Sequence, residues 1–228
     1  SAIIILIFRD TILGFVTGVH VSTSKNMKVG DWIGIPKYNI EGNIQDINLL
    51  TTKIVNFDKT ISTIPTYDLL STEIRNHQVM YEGSSRRIKR SIYFNIKSFK
   101  FVDDEFYEKV KDINLISEYM DRKLREIAES KKNIPHAERI INGQQLTNIG
   151  LFRNYVLNYL KNNPKVDQDE IVLVRQLEIS PQGMPLEIYC FANKAELVDY
   201  ERIQADIFDH ILTAAQEFDL EIMQVAKA

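Results

Sequence analysis

The side chains that most often perform chemistry in proteins are sparse in this chain of 228 residues. Its four histidines, His20, His77, His136 and His210, lie far apart in sequence, and none has a second histidine three or four positions away. Pairs of histidines three or four positions apart are typical of metal sites on helices. Because the sequence has no such pair, we expect no metal and no other cofactor. The sequence also lacks a Gly-x-Gly-x-x-Gly pattern, a phosphate-binding loop and any nucleophile–base or carboxylate pair at a convincing spacing, which argues against an enzyme.

The single cysteine, Cys190, excludes an internal disulfide and any cysteine-rich metal site. It lies within the apolar segment Leu186–Phe191, which favours a buried cysteine on a strand. The formal net charge is -3, with 44% hydrophobic and 26% charged residues. The slightly negative net charge gives the chain no overall positive charge for binding nucleic acid. The hydrophobic fraction predicts folded domains with an ample core.

Two short motifs are candidates for binding a partner. The run Arg86–Arg90 is basic, but on an alternating strand Arg87, Lys89 and Ser91 share one face, so a solvated face is favoured over a binding site. Gly14 and Gly18 form a Gly-x-x-x-Gly pair, which lets helix backbones approach closely in membranes. Packing in a soluble core explains this pair equally well.

The elements that position these residues begin with an apolar run, Ala2–Phe8, which stops at the pair Arg9–Asp10 and resumes as Thr11–Val19. A membrane-spanning helix needs about twenty predominantly apolar residues, so we expect the chain to start inside a hydrophobic helix. The charges follow the apolar run, whereas a removable signal peptide has its positive charge before it. A buried N-terminal helix or strand of a soluble domain is the alternative.

A β-rich block extends from there to about residue 76. Apolar and polar residues alternate in short segments, as in half-buried strands. Strands of this length and spacing predict a small barrel or curled sheet, because closure removes exposed edges. The predicted strands are Trp32–Ile35, Asn43–Ile47, Thr52–Asn56 and Thr60–Ile64.

The periodicity changes after a predicted linker, Met80–Ser85. Strands interleaved with helices then imply an α+β sandwich with the helices on one face of the sheet. A further strand is possible around Gln144–Asn148. The other predicted elements are a strand over Ile88–Ile96, one long helix from Asp104 through Ile127, a helix over Phe152–Leu160, a hairpin of Ile171–Ile179 with Pro185–Phe191, and a helix over Leu197–Phe218.

Three phrases in fixed order follow the apolar helix: Lys28–Ile33, Gly42–Ile47 and Thr60–Thr66. Each phrase is common alone, but the ordered set resembles the small-conductance mechanosensitive channel family. The phrase Gly83–Ile92 and the extra length between about Asp103 and Val166 look more like the miniconductance, YbdG-type branch than the shorter prototype. The resemblance covers essentially the entire chain.

The resemblance implies a membrane protein fragment with a pore-lining kinked helix, a small all-β Sm-like barrel and an α+β, ferredoxin-like cytoplasmic domain. The implied domains are 1–27, the last transmembrane pore helix with its interfacial half; 28–79, the Sm-like β domain; and 80–228, the α/β vestibule domain. It also implies a homoheptamer in the bacterial inner membrane, with residues from about 28 onward in the cytoplasm. Such a channel opens under membrane tension and releases ions and small osmolytes during hypo-osmotic shock. Its partners are membrane lipid and other copies of the chain, not nucleic acid.

Individual residues acquire roles from their position relative to Lys28–Asp31. Leu6 and Ala2 match the pore-sealing positions of the family, where an apolar constriction closes a pore by dewetting. Ala2 is smaller than the leucine usual there, so Leu6 is the stronger candidate. Gly14 and Gly18 are the hinge and packing candidates, since Asp10 stands where the prototype has a glycine at the bend.

The remaining implied site residues form two groups, one within the apolar helix and one directly after it. Arg9 and Asp10 are expected near the membrane interface, because seven arginines facing a narrow pore would repel one another. The helix-to-barrel junction consists of Lys28, Gly30, Asp31 and Trp32.

Two other function classes compete with a channel. A soluble Sm-like or OB-like module that binds nucleic acid would need aromatic side chains for base stacking on its strands. On or directly beside the predicted strands of the β block, only Trp32 and Phe57 are aromatic. An enzyme built on the α/β domain lacks a catalytic constellation.

Overall fold

The computed structural model describes residues 2–23 and 27–224, although the side chains of residues 2–7, 10 and 21–23 lie outside this description. The chain divides into two compact units, Ser1–Gly83 and Ser84–Ala228. Each unit has its own hydrophobic core, so each is described separately.

The first unit combines one long helix with a five-stranded antiparallel sheet. The strand order is β4-β3-β2-β1-β5. The strands predicted from alternation all lie close to their expected positions. The elements are α1 (Ala2–Thr23), β1 (Trp32–Ile35), a 3-10 turn (Pro36–Tyr38), β2 (Ile40–Ile47), β3 (Thr51–Asn56), β4 (Ile61–Pro65), α2 (Asp68–Ser71), β5 (Arg75–Asn76) and α3 (Gln78–Glu82).

The alternation buries one side chain in two along these strands, as a one-sided sheet requires. The core of the unit is almost entirely isoleucine, a β-branched residue that suits strands: Ile33, Ile35, Ile44, Ile54, Ile64 and Leu69. Within the described residues, no ladder joins β4 to β5. Closure of the sheet into a barrel therefore stays a prediction.

Two local contacts in this unit explain residues that alternation alone does not: one within strand β2 and one in the β3–β4 turn. Gly42 lies where a Cβ atom would come within 2.1 Å of the Val55 carbonyl oxygen, so only glycine fits the close approach of β2 to β3. In the β3–β4 turn, the Asp58 carboxylate accepts hydrogen bonds from the Thr60 hydroxyl at 2.6 Å and the Thr60 amide at 2.9 Å. These two bonds lower the pKa of Asp58 and hold the turn.

The second unit packs helices on a three-stranded antiparallel sheet of order β6-β8-β7. The hairpin predicted around Ser180–Gly183 is formed by β7 and β8. The elements are β6 (Arg86–Phe94), a 3-10 turn (Ile96–Ser98), α4 (Asp104–Val110), α5 (Asn114–Lys131), α6 (Asn148–Lys161), β7 (Leu173–Gln176), β8 (Met184–Ala192), α7 (Leu197–Ala214) and a 3-10 turn (Ala215–Phe218).

Only one face of this sheet is covered by the helices. Leu186, Ile188 and Cys190 alternate along β8 and are fully buried, in one cluster with Phe152 of α6 and Ile211 of α7. The α+β architecture with helices on one face is thus present. The order of the elements follows the β-α-β-β-α-β arrangement of ferredoxin-like folds, except that the last position is a single bridge between Phe94 and Ile222.

Two sequence predictions in this unit were wrong. The long helix expected from Asp104 through Ile127 is two helices, because Ile113 is extended and its amide donates to the Val110 carbonyl. Apolar residues continue at helical spacing on both sides of this break, so periodicity alone does not reveal it. The possible strand near Gln144–Asn148 is one isolated bridge between Phe101 and Thr147, and Thr147 caps α6 through its side chain.

The predicted linker, Met80–Ser85, is partly helical. Helix α3 covers Gln78–Glu82, and its last turn ends at Gly83. The division between the two units falls directly after Gly83.

Candidate functional site

Helix α1 turns its small residues inward and its large apolar residues outward. Gly14 and Thr17 are buried, and the Thr17 hydroxyl donates to the Leu13 carbonyl at 2.8 Å. The large side chains on the other faces are between 50% and 58% exposed: Phe8, Ile12, Phe15, Val16 and Val19. An apolar surface of this size on one helix is typical of a contact with lipid or with another protein chain.

Gly14 marks the closest approach of α1 to the β sheet of its own unit. A Cβ atom at this position would lie 2.1 Å from the Leu49 carbonyl oxygen, in the turn between β2 and β3. Real Cβ atoms do not approach backbone oxygen so closely, so the contact requires glycine. Around Gly18, one turn later, no side chain or other segment of the described residues lies within 4 Å of the equivalent point. The two glycines therefore have different surroundings.

The predicted pore residues lie on α1, but most of their side chains fall outside the described part of the chain. This holds for Ala2, Leu6 and Asp10, whereas Arg9 is described and exposed. The helix runs without interruption through Arg9, Asp10 and Gly14. In the described part of the chain, no helix combines the length and apolarity needed to cross a bilayer.

The junction between α1 and the sheet is organised by the Asp31 carboxylate. Its Oδ2 accepts hydrogen bonds from the Lys28 amide at 2.9 Å and from the Asn76 side chain at 2.9 Å. Gly30 has a φ of +98°, which favours glycine, and its amide donates to the Ile44 carbonyl at 2.8 Å. The turn Lys28–Asp31 is thus connected to β2 and, through Asn76, to the end of β5.

Trp32 lies at the centre of an aromatic group beside this turn. Its ring is 4.8 Å from the His77 ring and 5.3 Å, edge to face, from the Phe57 ring, measured between centroids. The indole N–H donates to Glu41 at 3.2 Å. Trp32 and Phe57, the two aromatic residues considered for base stacking, thus pack on each other edge to face, and Phe57 stays 56% exposed.

Several residues of this site were missed in the sequence. Asn76 and His77 contact residues about 45 positions earlier, and only the folded sheet brings them together. Thr17 is read as one more residue of an apolar helix, although it joins Gly14 on the buried face. The spacing of small residues at 14, 17 and 18 was the available signal for that face.

The basic run Arg86–Arg90 divides between two surfaces. Arg87 and Lys89 are exposed and share one face of β6, as alternation predicts. Arg86 and Arg90 lie over the rings of Tyr200 and Phe208, at 4.4 Å and 4.6 Å from the centroids. Two of the four cations therefore cover aromatic residues of α7.

We expect Asp31→Ala to lower the free energy of unfolding of the first unit by about 1–3 kcal/mol. The substitution leaves the Lys28 amide and the Asn76 amide group without their acceptor. Trp32 is the only tryptophan, so its fluorescence during denaturant unfolding reports on this unit directly. The control is Asp46→Ala, which removes one exposed bond from Asn48. Equal losses in the two variants would contradict the role given to Asp31.

Comparisons with known proteins agree on one family across both units. Residues 10–79 match the family model "Mechanosensitive ion channel, beta-domain". Residues 137–222 match the model "Mechanosensitive ion channel MscS, C-terminal". The two models follow one another in the chain in the order of the two structural units.

Curated relatives include two named channels. The low conductance mechanosensitive channel YnaI of Escherichia coli is 23% identical over 208 residues, which are 91% of this chain and 46% of the relative. The small-conductance mechanosensitive channel MscMJ of Methanocaldococcus jannaschii is 34% identical over 71 residues, 31% of this chain and 20% of the relative. The chain thus spans less than half the length of these relatives.

Solved structures share the fold at low sequence identity. Arabidopsis thaliana MSL1 aligns with a TM-score of 0.65 at 15% identity, covering 98% of this chain and 62% of that chain. Helicobacter pylori MscS in a closed state aligns with a TM-score of 0.58 at 15% identity, covering 100% of this chain and 68% of that chain. With both family domains matched in order, the chain belongs to the small-conductance mechanosensitive channel family.

Proposed function

We propose that the chain is a subunit of an ion channel that opens under membrane tension and releases ions and small osmolytes during hypo-osmotic shock. The observation that carries this proposal is the ordered match of both family domains, the first of which begins within an apolar helix. Membrane tension performs work in proportion to the in-plane area gained on opening, so lateral force shifts the population towards the open state as a ligand would.

Helix α1 is the proposed pore element. Its outward-facing side chains, Phe8 to Val19, suit contact with lipid or with neighbouring helices, because they expose apolar surface in an isolated chain. Leu6 and Ala2 lie further towards the N-terminus of α1 and would form the apolar seal. The family resemblance supports these two roles.

Assembly into a ring is part of the proposal. The first sheet ends at β4 on one side and at β5 on the other, and edge strands are surfaces at which chains pair. We assign the chain to a homoheptamer in the bacterial inner membrane, with residues from about 28 onward in the cytoplasm. The miniconductance branch and this subunit number rest on the resemblance alone.

Survival of hypo-osmotic shock tests this function in cells. The full-length protein is expressed in bacteria that lack their own tension-gated release channels, and the cells are diluted suddenly into dilute medium. We expect survival to rise with expression, whereas transfer at constant osmolarity makes no difference. No gain in survival, with the protein present in the membrane fraction, would refute the release function.

We expect Gly18→Val to raise the tension needed for opening. Among the described residues, a Cβ atom at Gly18 meets no side chain and no other segment within 4 Å, so a bulky residue there would act on a neighbouring helix, where overpacking costs about 1–3 kcal/mol. Patch recordings with a co-expressed reference channel measure the threshold, and Gly18→Ala is the matched control. A wild-type threshold for the valine variant would count against packing of neighbouring helices at Gly18.

A further inference from the structure

The three-stranded sheet of the second unit leaves one face without helices. We name this surface the outer sheet face and define it by Arg87 and Lys89 of β6, Tyr189 and Phe191 of β8, and Leu173 and Arg175 of β7. The strand register aligns these side chains, since Arg87 is opposite Phe191, Lys89 is opposite Tyr189, and Tyr189 is opposite Leu173.

The edge of this face along β7 carries an apolar stripe. Leu173 lies in β7, Ile171, Leu177 and Ile179 flank this strand, and the four lie two or four positions from Arg175; they are 59%, 44%, 36% and 62% exposed in chain order, with Leu173 at 44%. The Leu177 amide donates to the Pro185 carbonyl at 3.0 Å, so the pairing with β8 continues past the end of β7. The exposed face of an antiparallel sheet is normally polar, so a stripe of branched aliphatic side chains indicates a covered surface.

The same face is positively charged. Glu187 is nearly buried between two cations: its Oε1 accepts from Arg175 Nε at 2.8 Å, and its Oε2 lies 3.8 Å from Lys89 Nζ. One carboxylate therefore offsets one of the three cations Arg87, Lys89 and Arg175, which leaves a net charge of +2. A partner for this face needs an acidic surface with some apolar area.

The outward side of α7 has these properties. The helix contains four acidic residues and one basic residue, Arg202, and Lys165 pairs with Asp206 at 2.6 Å, so this surface carries a net charge of -2 when His210 is neutral. Its first residues, Leu197 and Val198, are 54% and 71% exposed. The acidic residues of this helix are Asp199, Glu201, Asp206 and Asp209.

These two surfaces cannot meet within one chain. The buried side of α7, including Ile203, Ile207 and Ile211, packs in the core beneath the covered face of the sheet. The outward side of α7 and the outer sheet face therefore point in opposite directions from one unit. Two different, complementary patches on opposite sides of a chain are the requirement for head-to-tail contacts, which close into rings.

We propose that the outer sheet face of one copy binds the outward side of α7 of a second copy. This inference rests on the proposed function, because it supplies a contact for the proposed ring. The cations face the acidic helix residues, and the β7 stripe covers Leu197 and Val198. A nucleic acid on the outer sheet face would be an alternative occupant, and the test below distinguishes it from a second copy.

Engineered cysteine pairs test the contact in the full chain. The native thiol gives little background, because Cys190 is buried and burial raises its pKa to about 12. The test pair is Leu173→Cys with Val198→Cys, treated with a short bis-maleimide. The control pair is Leu173→Cys with Ile141→Cys, since Ile141 is 73% exposed and Val198 is 71% exposed. Oligomer size is measured on the same samples by light scattering.

We expect the test pair to give about tenfold more cross-linked product than the control pair, because contact holds the two cysteines at a high effective concentration. Arg87→Glu should reduce this yield, and Glu201→Lys in the same chain should restore it. An assembled protein in which both pairs react equally, or in which neither reacts, would overturn the inference and leave the proposed function standing. A protein that stays monomeric would overturn both the inference and the proposed function. Loss of the cross-link on adding nucleic acid would favour nucleic acid as the occupant of the outer sheet face.

Discussion

Replacing Gly14 with alanine is expected to separate helix α1 from the turn between β2 and β3. The added Cβ atom would lie 2.1 Å from the Leu49 carbonyl oxygen, so either the helix or the turn must move. Overpacking of this kind costs about 1–3 kcal/mol, whereas alanine favours a helix over glycine by about 1 kcal/mol. We therefore expect a net loss of stability and a looser α1.

Hydrogen exchange at the turn measures this separation. The Asn48 amide donates to the Thr51 carbonyl, and the Thr66 amide donates to the Leu50 carbonyl. Both amides should exchange faster in the Gly14→Ala protein. The matched control is Gly18→Ala, the same change one turn later, where no side chain or other segment in the described part of the chain lies within 4 Å of the new Cβ. It should leave exchange unchanged and stabilise the helix, so similar behaviour of the two variants would contradict the close contact at Gly14.

Asn148→Ala is expected to be the most damaging single change in the second unit. Asn148 is fully buried at the start of α6. Its Nδ2 donates to the carbonyls of Ser98 and Phe218, at 2.9 Å and 3.1 Å, and its Oδ1 accepts from the Lys100 amide at 3.0 Å. Alanine leaves these buried groups without a partner, at about 1–3 kcal/mol for each group.

Denaturant unfolding of the full chain, followed by circular dichroism, measures this loss. The matched control is Asn154→Ala on the same helix, where the side chain makes one bond, from its Nδ2 to the Gly150 carbonyl at 2.9 Å. Asn148→Ala should lower the free energy of unfolding at least twice as much as the control. Equal losses would show that the connections to Ser98 and Phe218 contribute little.

Sequence patterns predicted the elements whose burial follows a simple period. Strands β1 to β4 of the first unit were found because isoleucine alternates with polar residues along them, whereas the two-residue β5 was not, and the hairpin of β7 and β8 was found from its turn at Ser180–Gly183. The break between α4 and α5 was not found, because Val110, Ile113 and Ile116 remain at helical spacing across it while Ile113 is extended. The apolar periodicity of a sequence does not show where a backbone hydrogen bond ends a helix.

Contacts between distant segments were beyond the reach of sequence patterns. The phrase Lys28–Asp31 was recognised as a junction, but its connection to Asn76 depends on the pairing of β1 with β5. Gly14 was singled out as a small residue, yet its contact with Leu49 depends on how the helix lies on the sheet. For the same reason, alternation placed Arg87 and Lys89 on one face but did not indicate that the β7 stripe lies on the same face, on the far side of β8.

The central claim, that the protein is a tension-gated channel, is tested most directly by patch recording. The full-length protein is reconstituted into bilayers, and suction is applied to excised patches at constant voltage. We predict stepwise currents that appear above a threshold of suction, disappear when suction is released and are absent from protein-free bilayers. Patches that contain the protein, shown by its recovery from the same vesicles, but give no current at suctions up to membrane rupture would contradict the claim.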